Sequence, residues 1–168
     1  MNKLVYLGLG SNLGDRKGAI ERAIEKMAEQ GIRVVRRSSL FETEPMELRD
    51  QPWFLNLVVE AETELFPRQL LNKILAIERE LGRRRRERNG PREIDIDVLL
   101  YGKSVVRIDA LEIPHPRMQD RRFVLAPLIE LAPEMRHPVV KKTFRQLLET
   151  LEGQRVVQVA ESNCGAPL

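Results

Sequence analysis

Two aspartates, Asp95 and Asp97, occupy alternate positions in a short apolar segment. In a β-strand alternate side chains share a face, so both carboxylates would point one way and Ile94, Ile96 and Val98 the other. The two Cα atoms would then lie about 7 Å apart. Carboxylates at this separation repel each other unless a cation lies beside them, and Mg²⁺ prefers such oxygen ligands. The spacing therefore favours a magnesium site, with an ordinary solvated strand face as the alternative.

An arginine-rich segment runs directly into this predicted strand. Between Arg83 and Arg92 the chain carries six arginines and one acid, Glu87, whereas the rest of it carries 22 basic and 24 acidic residues. Guanidinium groups bind phosphate through paired hydrogen bonds. Carboxylates for Mg²⁺ beside arginines for phosphate are what phosphoryl transfer requires, because such enzymes mainly position the reactants and neutralise charge. The competing interpretation of the arginines is a solvated charged loop.

Two other phosphate-binding patterns are incomplete. In the segment from Gly8 to Gly14 the third glycine comes one residue too late for the dinucleotide-binding fingerprint. Gly102-Lys103-Ser104 is similar to the end of a P-loop, but the earlier glycine of that motif would fall at position 97, which is an aspartate. If the chain uses a nucleotide, it must bind it in another way.

Phe54, Asn56 and Phe123 could together bind a flat heterocycle. Two rings, from a set that also includes Phe41 and Trp53, could stack on its two faces, and the Asn56 amide offers both donors and an acceptor to its edge. Taken one by one, the rings are better explained as core residues. His115 stands between two prolines and has two interpretations: a structural histidine at a rigid turn, or a phosphate donor beside Arg121.

The elements that must position these residues follow the order β-α-β-β-α-β. That order predicts a ferredoxin-like α+β fold, in which two helices pack on one face of an antiparallel sheet. The 168 residues are expected to form a single domain, residues 1–168, whose last third is a C-terminal extension. The predicted strands are Lys3–Leu9, Ile32–Phe41, Phe54–Thr63 and Ile94–Tyr101, and the helices are Arg16–Gln30 and Pro67–Leu81. The extension is predicted to hold a β pair near 105–113, helices near 122–131 and 143–151, and a strand at 156–159.

Composition excludes several classes of protein. Hydrophobic residues make up 42% of the chain and charged residues 32%, which indicates a folded protein rather than a disordered one. No apolar run is long enough for a membrane span, and the first residues lead into a strand rather than a secretory signal. The single cysteine, Cys164, excludes a disulfide framework. We expect a cytoplasmic monomer that binds neither membranes nor nucleic acid.

Five motifs, taken in chain order, are similar to those of the hydroxymethyldihydropterin pyrophosphokinase family. They are Gly10-Ser11-Asn12, Gln51-Pro52-x-Phe-Leu-Asn56, Gly82-Arg83, Gly90-Pro91-Arg92-x-x-Asp95-x-Asp97, and Pro114-His115 with Arg121-x-Phe123. The resemblance runs from Leu4 to about Pro133, and its fourth motif is the most specific. It implies an enzyme of folate biosynthesis. Such an enzyme moves a pyrophosphoryl group from ATP, its co-substrate, to the hydroxymethyl oxygen of 6-hydroxymethyl-7,8-dihydropterin and releases AMP.

The resemblance also implies a role for individual residues. Two Mg²⁺ ions would be held by Asp95 and Asp97, and Asp97 would also accept or orient the proton of the attacking hydroxyl. The implied catalytic residues are Arg83, Arg92 and Asp97. The implied ATP-binding residues are Leu75, Glu78, Arg85, Arg88, Arg92, Val98, His115 and Arg121. The implied pterin-binding residues are Thr43, Pro45, Phe54, Asn56, Asp95 and Phe123, with the pterin stacked between the two phenyl rings.

Two other functions fit part of the pattern. Another Mg²⁺-dependent phosphoryl or nucleotidyl transferase would share the acids, but Gln51-Pro52 followed by Asn56 favours a flat heterocyclic acceptor over a sugar. A nonenzymatic RNA-binding module would use the arginines for phosphates and place exposed aromatic residues on its central strands. Here the strand centres read Ile-Asp-Ile-Asp and Leu-Val-Val-Glu, and acids on an open face would repel RNA. The tail after Gly153 lies outside the resemblance and has no predicted role.

Overall fold

The computed structural model describes residues 2–45, 50–82 and 92–159 of the chain. The strands are β1 (Lys3–Ser11), β2 (Ile32–Arg37), β3 (Phe41–Thr43), β4 (Phe54–Thr63), β5 (Asp95–Tyr101), β6 (Val106–Ile108), β7 (Leu111–Ile113) and β8 (Val156–Gln158). The helices are α1 (Arg16–Glu29), α2 (Pro67–Glu80), α3 (Arg122–Leu131) and α4 (Phe144–Glu149). None of these helices is long and apolar enough to cross a membrane, a statement that covers the described residues alone.

The main sheet is built around β1. Its neighbours are β5 on one side and β4 on the other, and both pairs are antiparallel. The far edge of β4 pairs with β2 at one end and with β3 at the other, and β8 pairs with β3. The β6 and β7 strands form a separate hairpin. This strand order confirms the predicted ferredoxin-like arrangement.

One face of the sheet packs against α1 and α2. Leu7 and Leu9 of β1 and Leu57 of β4 point to this side, where they meet Ile20 of α1 and Ile74 of α2 in a continuous buried core. These residues alternate along each strand and recur at helical spacing along each helix, which is why both periods could be read from the sequence. Fully burying each such side chain contributes about 1.5–3 kcal/mol.

The opposite face is covered by the C-terminal extension. Leu125 of α3 and Phe144 of α4 pack there against Tyr6, Val58 and Leu99 of the sheet. The prediction of two helices on one face is therefore confirmed for α1 and α2, and the extension adds a second helical layer on the other face. The start of α3 ends this layer beside the first residues of β5, which leaves part of the sheet accessible there.

The predicted second strand, 32–41, is in fact two strands, β2 and β3. Between them the Ser38 hydroxyl accepts a hydrogen bond from Val58 N at 2.9 Å and donates one to the Ser39 carbonyl at 2.9 Å. The Ser39 N–H donates to Glu130 of α3 at 2.7 Å. Serine side chains can replace backbone partners in this way and so interrupt a ladder. The prediction of an extended conformation over residues 32–41 is confirmed, but the prediction of one continuous strand is wrong.

A buried polar network joins the sheet to the end of α3. The Glu60 carboxylate accepts hydrogen bonds from the Tyr6 hydroxyl and from two nitrogens of Arg36, at 2.8 and 3.1 Å for the latter. Arg36 also donates to the Leu131 carbonyl at 2.8 Å. Burial, together with the bond to Glu60, raises the pKa of the Tyr6 hydroxyl. The network satisfies a carboxylate that would otherwise be costly to bury.

Replacing Glu60 should destabilise the fold. We expect Glu60→Gln to lower the free energy of unfolding by about 1.5–3 kcal/mol, because charged hydrogen bonds to Tyr6 and Arg36 are lost. Glu62→Gln is the matched control, since Glu62 lies two residues along the same strand and forms its ion pair with the largely exposed Arg33. Exposed pairs contribute at most about 1 kcal/mol. Urea denaturation of both variants measures the difference, and equal losses would contradict the role of the network.

The same network predicts a pH dependence. Hydrogen bonds from Arg36 lower the pKa of the Glu60 carboxyl, against the opposing effect of burial. A lowered pKa in the folded state gives stability that is present above the unfolded pKa of about 4.3 and is lost as the pH falls through the folded value. The gap in unfolding free energy between the wild type and Glu60→Gln should therefore narrow in acid. A gap that stays constant below about pH 4 would contradict this assignment.

Candidate active site

Two glycines of β1, Gly8 and Gly10, face away from α1 and α2. The register places Asp97 of β5 opposite Gly8 and Asp95 opposite Gly10. On the other side of β1, Asn56 of β4 lies opposite Gly10. Opposed residues share a face of a sheet, so the two carboxylates and the amide lie on one face with bare backbone between them. Two strand spacings separate Asp95 from Asn56, about 10 Å.

A close approach requires glycine at position 10. A Cβ atom there would lie 2.3 Å from Asn56 Oδ1 and 3.6 Å from Phe54 Cδ1. Any side chain would therefore displace the Asn56 amide, whereas the Phe54 ring is at ordinary contact distance. The predicted pterin residue Thr43 holds the same amide from the other side, because its Oγ1 accepts a hydrogen bond from Asn56 Nδ2. Pro45, also predicted for the pterin, is buried two residues further on.

The two glycines form the base of a shallow cleft that is open to solvent. The sheet contributes Asp95, Asp97 and Asn56, and the first turn of α3 contributes Phe123 and Val124. The structure thus brings together residues predicted for the metal and for the pterin, from elements up to 67 positions apart in the sequence.

The cleft changes the acidity of Asp97. Burial, together with the negative charge of the neighbouring Asp95, raises the pKa of Asp97 to about 8. The positive charges of Arg121 and Arg92 oppose it. A carboxylate that is both buried and close to another carboxylate is stabilised by a cation beside the pair. The electrostatics of the site therefore agree with the cation-binding role that the alternating pattern predicted.

Two arginines connect the acids to the aromatic rings. The Arg92 guanidinium pairs with Asp95, with 3.3 Å between Nη1 and Oδ2, and its Cζ lies 5.2 Å from the centre of the Phe54 ring. Arg121 lies over Phe123 in the same way, at 5.4 Å. Each predicted stacking ring is thus in contact with a predicted phosphate-binding arginine. Cations over aromatic faces attract the ring electrons, which restricts both partners.

His115 is a neutral imidazole in this environment. Burial, together with the positive charge of Arg121, lowers its pKa to about 4. Its Nδ1 accepts a hydrogen bond from Arg117 N at 3.2 Å, which assigns the ring proton to Nε2. A neutral imidazole in this tautomer can donate a hydrogen bond to an anion. Both interpretations from the sequence therefore have a basis: the ring helps to hold a turn and keeps a donor beside Arg121.

The other predicted nucleotide residues lie around α2 and β5. The buried Glu78 carboxylate accepts a hydrogen bond from Ile96 N at 2.8 Å, so it ties α2 to the strand that carries the aspartates. The Val98 side chain belongs to the core on the helix side, which leaves its backbone for a ligand. Leu75 is exposed on α2. No contact in the structure tests the ATP-binding role predicted for these three residues.

The remaining predicted positions lie in the arginine-rich segment. Arg83, Arg85 and Arg88 are outside the described residues, and of that segment Arg92 alone is described. The catalytic role predicted for Arg83 and the ATP contacts predicted for Arg85 and Arg88 stay predictions. The described end of the segment, Arg92, does lie against the cleft through its pair with Asp95.

Asn12 is a site-forming residue that the sequence reasoning missed. Its Nδ2 donates to Gln51 Oε1 at 2.8 Å and to the Pro52 carbonyl at 2.9 Å. Its Oδ1 accepts from Arg92 N at 2.9 Å, and its own N–H donates to the Arg92 carbonyl at 3.2 Å. One buried amide thus joins the segment before Phe54 to the segment before Asp95. The signal was present in Gly10-Ser11-Asn12, which served only to identify the resemblance.

Asp95 and Asp97 are the residues with which this cleft could hold a metal ion. Within the described ranges, no group of three or more His, Cys, Asp or Glu side chains is arranged around a metal. Mg²⁺ does not need such a group, because it is often bound by one or two carboxylates, waters and substrate phosphates. Burial and the repulsion from Asp95, which together raise the pKa of Asp97, both favour a cation beside the pair. The donor set therefore fits magnesium.

Comparisons with known proteins identify relatives of this chain. It is 45% identical over 155 residues to the 2-amino-4-hydroxy-6-hydroxymethyldihydropteridine pyrophosphokinase of Methylorubrum extorquens, a match that covers 92% of this chain and 97% of the relative. It is 44% identical over 150 residues to the folic acid synthesis protein of Pneumocystis carinii. That match covers 89% of this chain and 20% of the relative, so the chain spans about a fifth of that longer protein.

A solved structure supports the fold. The HPPK-DHPS protein of Plasmodium falciparum, crystallised with pteroate, superposes with a TM-score of 0.72 over 89% of this chain and 42% of that protein. At 17% sequence identity, this likeness supports the fold alone. The family model described as 7,8-dihydro-6-hydroxymethylpterin-pyrophosphokinase (HPPK) matches residues 6–133, which include every described residue of the cleft. The chain therefore belongs to the 7,8-dihydro-6-hydroxymethylpterin-pyrophosphokinase family, and the predicted enzyme class is confirmed.

Proposed function

We propose that this chain transfers a pyrophosphoryl group from ATP to the hydroxymethyl oxygen of 6-hydroxymethyl-7,8-dihydropterin, releasing AMP, as a step of folate biosynthesis. The observation that carries the proposal is the row Asp95, Gly10, Asn56 across three strands. One end of the row suits the phosphates of ATP with their cation, and the other suits the edge of a flat heterocycle. The hydroxymethyl group would lie between them, above Gly10.

The pterin end of the cleft is assigned to Asn56, Thr43, Pro45, Phe54 and Phe123. The orientation of Asn56 is fixed by its bond to Thr43 and by its contact with Gly10, so its amide can discriminate a heterocycle edge without rearranging. Preorganised polar groups of this kind provide specificity in otherwise apolar pockets. The two phenyl rings supply flat faces for stacking, each with an arginine against it.

The phosphate end is assigned to Asp95, Asp97, Arg92, Arg121 and His115. Mg²⁺, for which we propose two ions on the aspartates, would neutralise the phosphate oxygens and polarise the reacting phosphorus when bound. Arg92 and Arg121 add positive charge on the same side, and the neutral His115 can donate a hydrogen bond from Nε2. Charge that is fixed in place before the reaction stabilises the transferring group most effectively.

The proposed reaction breaks one bond and forms one. The hydroxymethyl oxygen attacks the β-phosphorus of ATP, and the bond from that phosphorus to the oxygen joining it to the α-phosphorus breaks, so AMP leaves with the electron pair. Asp97 accepts or orients the proton of the attacking hydroxyl. Its position opposite Gly8, on the floor of the cleft, supports this role. Binding both reactants in one cleft makes the reaction between them effectively unimolecular.

The domain organisation, oligomeric state and location of the chain are further parts of the proposal. We propose that residues 1–168 form a single domain that works as a monomer in the cytoplasm, and that it binds neither nucleic acid nor membranes. The RNA-binding alternative would need exposed aromatic residues on the sheet face that carries the cleft. That face carries two aspartates and is largely covered by α3 and α4 instead, which favours the small-molecule substrates ATP and the pterin.

Product identity tests the reaction directly. Incubation with ATP, Mg²⁺ and 6-hydroxymethyl-7,8-dihydropterin should yield AMP in an amount equal to the pterin diphosphate formed, measured by chromatography of the nucleotides. Without the pterin no AMP should accumulate. ADP in place of AMP would mean that a single phosphate is transferred. Folded protein that gives neither nucleotide would contradict the proposal and favour a binding function.

Replacing Asp97 by its neutral isostere tests the phosphate end. We expect Asp97→Asn to lower kcat by about a hundred- to a thousandfold, because the variant loses a ligand for the cation and the proton acceptor. The melting temperature should not fall, since the change removes a buried carboxylate that repels Asp95. Asp109→Asn, at an exposed turn, is the matched control and should keep full activity. Unchanged turnover in Asp97→Asn would remove the assignment.

Removing a stacking ring tests the pterin end. We expect Phe123→Ala to raise the KM for the pterin about 5- to 100-fold, the range that follows from base-stacking energies of about 1–3 kcal/mol. The KM for ATP should change much less. Phe66→Ala is the control, because this ring is 71% exposed at the start of α2 and away from the cleft. Equal losses for both substrates in Phe123→Ala would contradict the stacking role.

A further inference from the structure

The segment after α4, residues 151–159, returns to the cleft. It lies beyond residues 6–133, the range that the family model matches. Its start is held by Arg122, whose Nη1 donates to the Leu151 carbonyl at 3.1 Å, and its end forms β8 beside β3. This return path brings its middle, Gln154 and Arg155, between α3 and the strand that carries Thr43.

The Gln154 side chain bridges the two walls of the pterin end. Its Oε1 accepts a hydrogen bond from Phe123 N at 3.2 Å. Its Nε2 donates to the Glu44 carbonyl at 2.7 Å, on the residue between Thr43 and Pro45. An amide carries both an acceptor and donors, so glutamine can make both bonds with one side chain. The bridge runs from the stacking ring to the residues proposed to read the pterin edge.

The bond to Phe123 fulfils a need of α3. The first N–H groups of a helix have no partner within the helix, and a side chain before the helix usually caps one of them. In α3 the preceding residue, Arg121, makes no such side-chain bond. Gln154 caps the helix from 31 positions further along the chain. The position of the Phe123 backbone therefore depends on the segment that holds Gln154.

The neighbouring contacts fix the other wall. Glu44 N donates to the Arg155 carbonyl at 3.1 Å, and Arg155 N donates to Glu44 Oε1 at 2.8 Å. Thr43 pairs with Val156 in the ladder between β3 and β8. A three-residue strand such as β3 would have little to hold its outer edge without this pairing. The Asn56 amide is thus held by Thr43, and Thr43 is held by β8.

Arg155 adds a contact with the start of β4. Its Cζ lies 5.4 Å from the centre of the Trp53 ring, next to Phe54. Trp53 is the only tryptophan of the chain, so its fluorescence reports on this part of the molecule alone. The carbonyl of Trp53 accepts a hydrogen bond from Arg16 at 3.1 Å, which connects the same residue to α1.

From these contacts we propose that Gln154 is a positioning residue for the pterin, setting the separation between Phe123 and the Thr43–Pro45 wall. Gln154 need not touch the substrate, because it acts on residues that do. The inference rests on the proposed function, which supplies the pterin as ligand. It assigns a role in substrate specificity to a part of the chain beyond the matched family range.

The test compares two glutamines of the same segment. Gln154→Ala should raise the KM for 6-hydroxymethyl-7,8-dihydropterin about five- to tenfold, as expected for the loss of a helix cap, and leave the KM for ATP within about twofold. Gln158→Ala is the control, since this exposed side chain in β8 donates to Ser39 Oγ at 3.0 Å, away from the cleft. It should keep both KM values. Equal rises for both substrates in Gln154→Ala would overturn the proposal.

A binding measurement separates positioning from turnover and from folding. The pterin is titrated in the presence of Mg²⁺ and α,β-methylene ATP, which cannot release AMP, with Trp53 fluorescence as the signal. We expect a weaker Kd in Gln154→Ala, measured well below a melting temperature that the loss of the α3 cap lowers by a few degrees. Wild-type protein that binds no pterin would defeat the proposed function itself. Wild-type binding with an equal Kd in the variant would defeat the positioning role alone.

A second variant covers the case in which Gln154→Ala does not fold. Gln154→Glu keeps an acceptor for Phe123 N, and so keeps the cap of α3, but it loses the donor to the Glu44 carbonyl. We expect a folded protein with a raised KM for the pterin, because the cap of α3 is kept while the bridge to the second wall is broken and its new carboxylate oxygen repels the Glu44 carbonyl. A KM equal to that of the wild type would show that the bridge does not position the walls, and would overturn the proposal.

Discussion

The absence of side chains on one face of β1 is the constraint on which the site depends. Gly8 and Gly10 place no side chain where both neighbouring strands carry a functional group. At Gly10 the constraint is steric, since a single added carbon would collide with the Asn56 amide. On its other face the same strand places Val5, Leu7 and Leu9 in the core. One strand therefore anchors the fold with one face and provides a substrate floor with the other.

Charged side chains around this floor come from three elements of the chain. The acids lie on β5, the cations reach in from the end of the arginine-rich segment and from the start of α3, and each cation lies against an aromatic ring. Burial is the main cause of the elevated pKa of Asp97, and the nearby Asp95 carboxylate adds to it. The carboxylates favour a cation and the arginines favour phosphate, so the site suits a ligand that carries both.

Long-range hydrogen bonds complete the arrangement. Asn12 joins the two segments that flank the cleft, and Gln154 joins the start of α3 to the end of β3. Both are amides, which can satisfy donors and acceptors of two different backbone segments at once. The substrate residues themselves sit on strands and on a helix end, and these two amides set how far apart those elements lie. Rigid elements tied at a few points are a general way to hold a site in its productive geometry.

The sequence by itself determined the period of each element and the identity of the chemistry. Alternation predicted that Asp95 and Asp97 share a face, and helical spacing predicted α1 and α2, because both periods are local properties of the backbone. The tertiary structure decided what crosses between elements: the Ser38 side chain that divides the second strand, the Asn12 bonds across 39 to 80 positions, and the Gln154 bridge. A hydrogen bond depends on a few tenths of an ångström and on direction, and both are set only when the core has brought distant segments together.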